Sequence, residues 1–187
     1  MSDRGDWIQT FTGRAFYPLD PDPRDICVED IAHALANLCR YGGHTRHFYS
    51  VAEHCILLSR YVQASPDLKH GDMSAFALWA LLHDASEAYL VDLPRPVKGM
   101  LSEYRAIEGR VLSAIAVRFA MTAEIPELVK SLDRRILTDE RTALMAEPPL
   151  RWATDAEPLG VIVTGLSPAR AEREFLDEFH RLAWERR

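Results

Sequence analysis

Apolar residues recur at intervals of three and four along most of this chain, and each such stretch predicts a helix with one buried face. Ile31, Ala34, Leu35 and Leu38 mark the first, "VEDIAHALANLCRYGG", which Gly42 and Gly43 can end. A second begins at Ser50, because Ser50 and Glu53 have capping-box spacing and the apolar run "CILLSRYV" follows. The third runs from about Met73 to Leu90 and stops before "DLPRPVKG", whose Pro94 and Pro96 cannot continue it. The fourth, "SEYRAIEGRVLSAIAVRFAM", is apolar at Tyr104, Ile107, Val111, Leu112, Ile115 and Phe119 despite Gly109 in its middle. Pro126 reads as the first-turn proline of a fifth, "ELVKSLDRRILTDERTALM"; the last opens at Ser167-Pro168, with Ala171, Phe175, Phe179 and Leu182 on its apolar face.

The segments outside this pattern are few. The stretch "WIQTFTGRAFYPLDPDPRD" alternates and turns, so Thr12-Gly13 can close a small hairpin. After the loop "EPPLRWATDAEPLG", the run "VIVTG" has strand propensity and is expected to pair with that hairpin. The expectation is an all-α fold of about six helices with a minor β-hairpin decoration near the N-terminus. It forms one domain over 1–187, with a core at about 30–146, a hairpin and loop at 1–29, and a strand-like segment and helix at 147–187.

Composition narrows the partners. With 187 residues, 48% of them hydrophobic, the chain can bury a core without disulfides. A net charge of -6 gives no general basic surface for a nucleic acid polymer, so an anionic ligand has to be held by local cations. The start "MSDRGDWIQTF" lacks a secretory pattern, and no apolar run reaches the roughly 18 residues of a membrane span, which predicts a cytoplasmic protein away from membranes. Cys27, Cys39 and Cys55 are odd in number and lack C-x-x-C spacing, so they read as free thiols, with neither a disulfide framework nor a zinc ribbon.

One stretch breaks the apolar rule. "LLHDASEAY" puts His83, Asp84 and Glu87 beside the almost wholly apolar "SAFALWAL", where a bare charge is expensive to bury. Glu87 follows His83 by four and Asp84 by three, so the three share a polar stripe. Imidazole and carboxylate together suit a divalent ion that accepts nitrogen and oxygen ligands. His54, among Val51, Leu57 and Leu58, and Asp133, among Val129, Ile136 and Leu137, are polar groups in equally apolar settings. Asp139 competes with Asp133 but reads as surface charge. Three helices thus offer His54, His83 with Asp84, and Asp133.

This order, carried by "YSVAEHC", "LLHDASEAY" and "VKSLDRRIL" between about Ala32 and Met145, resembles the HD-domain metal-dependent phosphohydrolases. Within them the chain looks most like the small 5'-deoxynucleotidases and phage dATP triphosphohydrolases; the opening "TFTGRAFYPLDP" looks like a feature of their wider bacterial and phage branch. The resemblance implies an HD-domain bundle, a homo-oligomer, and hydrolysis of deoxynucleoside 5'-phosphates, as monophosphates or triphosphates, by metal-activated water. His54, His83, Asp84 and Asp133 would hold one divalent ion (manganese, cobalt, zinc, iron or nickel), with a second, substrate-bound magnesium. Asp84 and Glu87 would be catalytic, Glu87 as general base. Arg40 and Tyr41, where these families have arginine and tryptophan, would meet the substrate, and Lys98 and Lys130 its phosphates. Each residue also has an ordinary reading: Arg40 at a helix C-terminus, Lys98 and Lys130 in solvent, Glu87 as a surface partner, and His44, Arg46 and His47 in a polar loop. A nucleotide sensor is the rival function. A di-iron oxygenase would need histidines that are missing between Asp84 and His180.

Overall fold

The computed structural model describes residues 4–65, 72–153 and 156–186, and their regular secondary structure is almost entirely helical. The exception is a hairpin of β1 (Ile8–Gln9) and β2 (Ala15–Phe16), antiparallel with Ile8 opposite Phe16. Gly13 closes its turn at a φ of 83°, a conformation that disfavours side chains. The buried Asp30 carboxylate accepts from the Thr12 backbone N–H and hydroxyl, tying the hairpin to the helix that follows.

That helix, α1 (Val28–Asn37), is shorter than its apolar spacing predicts. Leu38 and Cys39 are extended, Cys39 bridges Ser50, and Arg40–Gly43 form a tight turn with Tyr41 and Gly42 in the left-handed region. The bridge supplies backbone bonds that replace helical ones: Arg40 N–H donates to Tyr49 and Val51 N–H to Leu38. α2 (Val51–Ala64) starts at Ser50 as expected, the Ser50 hydroxyl accepting from the Glu53 N–H. Glu53, however, does not complete a capping box. Its buried carboxylate accepts from the N–H groups of Thr164, Gly165 and Leu166 and from the Thr164 hydroxyl. The "VIVTG" segment is therefore held by a side chain; it does not join the hairpin, whose sheet has two strands.

The predicted third helix is two helices. α3 (Met73–Leu82) ends at a turn over 83–86, and the short α4 (Glu87–Leu90) follows. Hydrogen bonds of 3-10 type, from Ala85 to Leu82 and from Glu87 to Asp84, tighten the chain there. Next come α5 (Arg95–Lys98), α6 (Ser102–Arg118) and α7 (Glu127–Leu144), with Pro126 one residue before the helix. α8 (Pro168–Glu185) opens with Ser167 as N-cap and packs across α1, α2 and α3. Its Ala171, Phe175, Phe179 and Leu182 join Leu58, Trp79, Ile115 and Ile136 in one hydrophobic cluster. The C-terminal segment is thus as much core as the middle of the chain. Among the described residues no helix is long and apolar enough to cross a membrane.

Gly109 sits inside α6, and a methyl group added there would meet nothing within 4 Å. A helix-interior glycine costs about 1 kcal/mol relative to alanine. Gly109→Ala is therefore expected to raise stability by roughly 0.5–1 kcal/mol, read as a higher midpoint in urea at unchanged m-value.

Candidate metal centre

α2, the turn after α3, and α7 bring His54, His83, Asp84 and Asp133 to one point. The Nε2 atoms of His54 and His83 are 3.2 Å apart. Asp84 Oδ2 lies 3.6 Å from the first and 3.4 Å from the second. Asp133 Oδ1 lies 3.3 Å and 3.8 Å from the same two atoms. Neighbouring residues on a regular α-helix diverge by about 100°, so His83 and Asp84 reach a shared point that lies between their two directions.

The opposite edge of each ring has a partner that determines its tautomer. His54 Nδ1 lies 2.6 Å from Glu140 Oε1, and His83 Nδ1 lies 2.8 Å from the Ala80 carbonyl oxygen. Both partners are acceptors, so both Nδ1 atoms carry hydrogen, and in the neutral rings both Nε2 atoms present lone pairs to the shared point. Two lone pairs and two carboxylate oxygens facing one another need a positive charge between them. The donor set of two imidazoles and two carboxylates fits a divalent ion of the zinc, manganese or iron type. Ligand atoms of His54, His83 and Asp133 all lie within 4.8 Å of one another, as do those of Cys55, His83 and Asp84.

The protonation of these groups reports the same field. Burial works against a charge on His83, but Asp84, Cys55 and Asp133 outweigh it and raise its pKa well above the ordinary value. Burial and Arg40 oppose a charge on His54, yet Glu140 and Asp133 raise it. Burial would lift Asp133, and the two imidazoles hold it well below the usual carboxylate range. A bound divalent ion would supply the positive charge that protons otherwise supply.

Glu140 is the residue that the sequence reading missed. It is fully buried, and besides His54 it accepts from the Tyr49 hydroxyl at 2.7 Å and from the Tyr41 hydroxyl. Arg40 lies 3.2 Å from Asp84 and 3.5 Å from Glu140. Burial pushes the Glu140 carboxyl up; Arg40, His54 and Tyr41 overcome it and hold the pKa at about 2. The available signal was positional: two turns after Asp133, Glu140 falls on the stripe of Val129, Ile136 and Leu144. Arg40 and Tyr41, expected at the substrate, both contact Glu140. Asp139 accepts from the Leu159 and Gly160 N–H groups and anchors a loop.

A cleft of about 240 Å³ opens beside the centre, with His83, Asp84 and Asp133 in its lining. Lys98 and Lys130 line it too, so the structure brings both predicted phosphate contacts to the site. Lys98 pairs with Glu108 at 2.5 Å, and Lys130 more loosely with Glu127 at 3.7 Å. A larger cleft, about 350 Å³, lies at the hairpin near His33 and Tyr89 and includes none of the four candidate ligands. His44, Arg46 and His47 are exposed.

Glu87 is buried, and its Oε2 has no hydrogen-bond partner. Burial, with Asp84 and Asp92 adding negative charge, pushes its pKa up to about 10. A neutral carboxyl donates; a cation at Asp84 would favour the ionised form that can accept a proton.

No protein-family model matches this chain. It is 35% identical over 182 residues to the uncharacterized protein YfdR of Escherichia coli strain K12, across 95% of this chain and 96% of that protein. It is also 35% identical over 173 residues to the uncharacterized protein RCAP_rcc00048 of Rhodobacter capsulatus, across 90% of this chain and 79% of that protein. Neither name carries an activity.

In the folded protein Glu87 keeps its proton to about pH 10, whereas the unfolded chain loses it near 4.5. The folded state therefore binds more protons in that window, and stability falls as pH rises through it. Glu87→Gln is expected to gain on the order of 2 kcal/mol at pH 8 and nothing below pH ~4. Thermal melts of both proteins across pH check the sign.

Proposed function

We propose that this chain, which belongs to the family of YfdR and RCAP_rcc00048, is an HD-domain metal-dependent phosphohydrolase acting on nucleotides, with deoxynucleoside 5'-phosphates as its substrates. The reading follows the order His54, His83-Asp84, Asp133. The observation that carries it is the meeting of two imidazole lone pairs and two carboxylates beside a cleft lined by lysines.

His54, His83, Asp84 and Asp133 would hold the ion, and Asp84 connects it to Arg40. A divalent ion bound there supplies Lewis-acid polarisation of a phosphoryl oxygen and acidifies water at neutral pH. Lys98 and Lys130 hold negative charge on the substrate as point charges, which an acidic chain has to provide locally. Glu87, three residues beyond Asp84 and without a partner at Oε2, accepts the proton that the attacking water loses. Arg40, Tyr41 and Tyr49 act behind the ligands, fixing the Glu140 carboxylate that orients His54.

The test is a panel of deoxynucleoside monophosphates and triphosphates with manganese, cobalt, zinc and magnesium, the released phosphate species being separated by chromatography. Metal-dependent release is expected from the wild type. Asp84→Asn is expected to lower it at least ~100-fold, and Glu87→Gln ~100-fold or more with metal content retained. A wild-type protein that loads metal and hydrolyses no member of the panel would falsify the proposal.

A further inference from the structure

α6 forms one wall of the metal-site cleft through Arg105, Glu108, Gly109 and Leu112, which share a helix face at spacings of three and four. The three cations of the cleft differ in their commitments. Lys98 is paired with Glu108 and Lys130 with Glu127, whereas the Arg105 guanidinium has no hydrogen-bond or ion-pair partner among the described residues. One helical turn on, Gly109 leaves open space above the backbone. Leu112 follows, and with Ile125 it gives the cleft an apolar part. From Arg105 to Leu112 the helix rises about 10 Å, at about 1.5 Å per residue.

We infer that this α6 wall determines substrate specificity, with Arg105 gripping a phosphate beyond the one that reacts, Gly109 leaving clearance for the ligand, and Leu112 contacting its apolar base or sugar. An unpaired guanidinium about 10 Å along a helix from an apolar residue matches a ligand with an anionic tail at one end and a weakly polar ring at the other. The inference rests on the nucleotide reading above and adds that the preferred ligand carries a polyphosphate. A glycine inside a helix, with nothing packed over it, has its explanation in the volume it leaves to that ligand. Glu108 belongs to the device: it pairs with Lys98 beside the reacting phosphate, whereas Arg105 exchanges only water for the phosphate oxygens farther along.

The experiment titrates the full chain with sodium tripolyphosphate and with orthophosphate by calorimetry, comparing wild type, Arg105→Gln and Arg110→Gln. Arg110 is exposed on the same helix but does not line the cleft, so it controls for general charge. Arg105→Gln is expected to weaken tripolyphosphate about tenfold, with Arg110→Gln and the orthophosphate titrations changing less than about twofold. Equal effects of the two variants, or no tripolyphosphate binding by the wild type, overturn the inference. Arg105-dependent binding in a protein that hydrolyses no nucleotide would sink the hydrolase reading alone. Hydrolysis with KM for triphosphates unchanged in Arg105→Gln would sink the α6 inference alone.

Discussion

The buried His54 ring organises the rest of this structure. It is wholly shielded from water, and both of its nitrogens need polar partners. Glu140 meets one side and is itself buried, so it requires Arg40, Tyr41 and Tyr49 to satisfy its oxygens. The other side faces His83, Asp84 and Asp133. Three carboxylates and one guanidinium meet there, and water reaches them only from the cleft that Asp84 and Asp133 line. A divalent ion held there would balance these carboxylates, and the same field raises the pKa of both imidazoles.

The irregular backbone is concentrated around the same place. Tyr41 adopts a φ of 57° in the turn that carries Arg40, and Val91 a φ of 68° just after α4. Such conformations are uncommon for residues with side chains and persist where the surroundings over-determine them. Here the Tyr41 hydroxyl is captured by Glu140 and the Arg40 backbone by Tyr49. The break between α3 and α4 belongs to the same group of features, because His83 and Asp84 lie in it. The surrounding apolar cluster of α2, α3, α7 and α8 is the rigid support that such aiming needs.

Much of this was legible before any coordinates. Apolar spacing located the long helices, and Ser50 and Ser167 marked two starts that the structure reproduces. Polar residues in apolar settings singled out the four side chains that converge. What stayed hidden was their support. Glu140 reads as one more charge in "LTDERTAL", and Glu53 as half of a capping box, although each is a buried acceptor for groups far along the chain.

The sequence by itself determined the elements whose stability is local: helical periodicity, serine caps, the Gly13 turn and the end of helix before Pro94 all depend on residues within a turn or two of one another. Only the tertiary structure decided where α1 stops, that α3 breaks at His83, that "VIVTG" is clamped by Glu53, and that Arg40 faces Asp84 and Glu140. Those outcomes depend on partners beyond the reach of one helix, from Ser50 opposite Cys39 to Leu166 against Glu53 and Glu140 against Arg40. A buried charge is stabilised by whatever the fold brings beside it, and spacing along a chain does not report that.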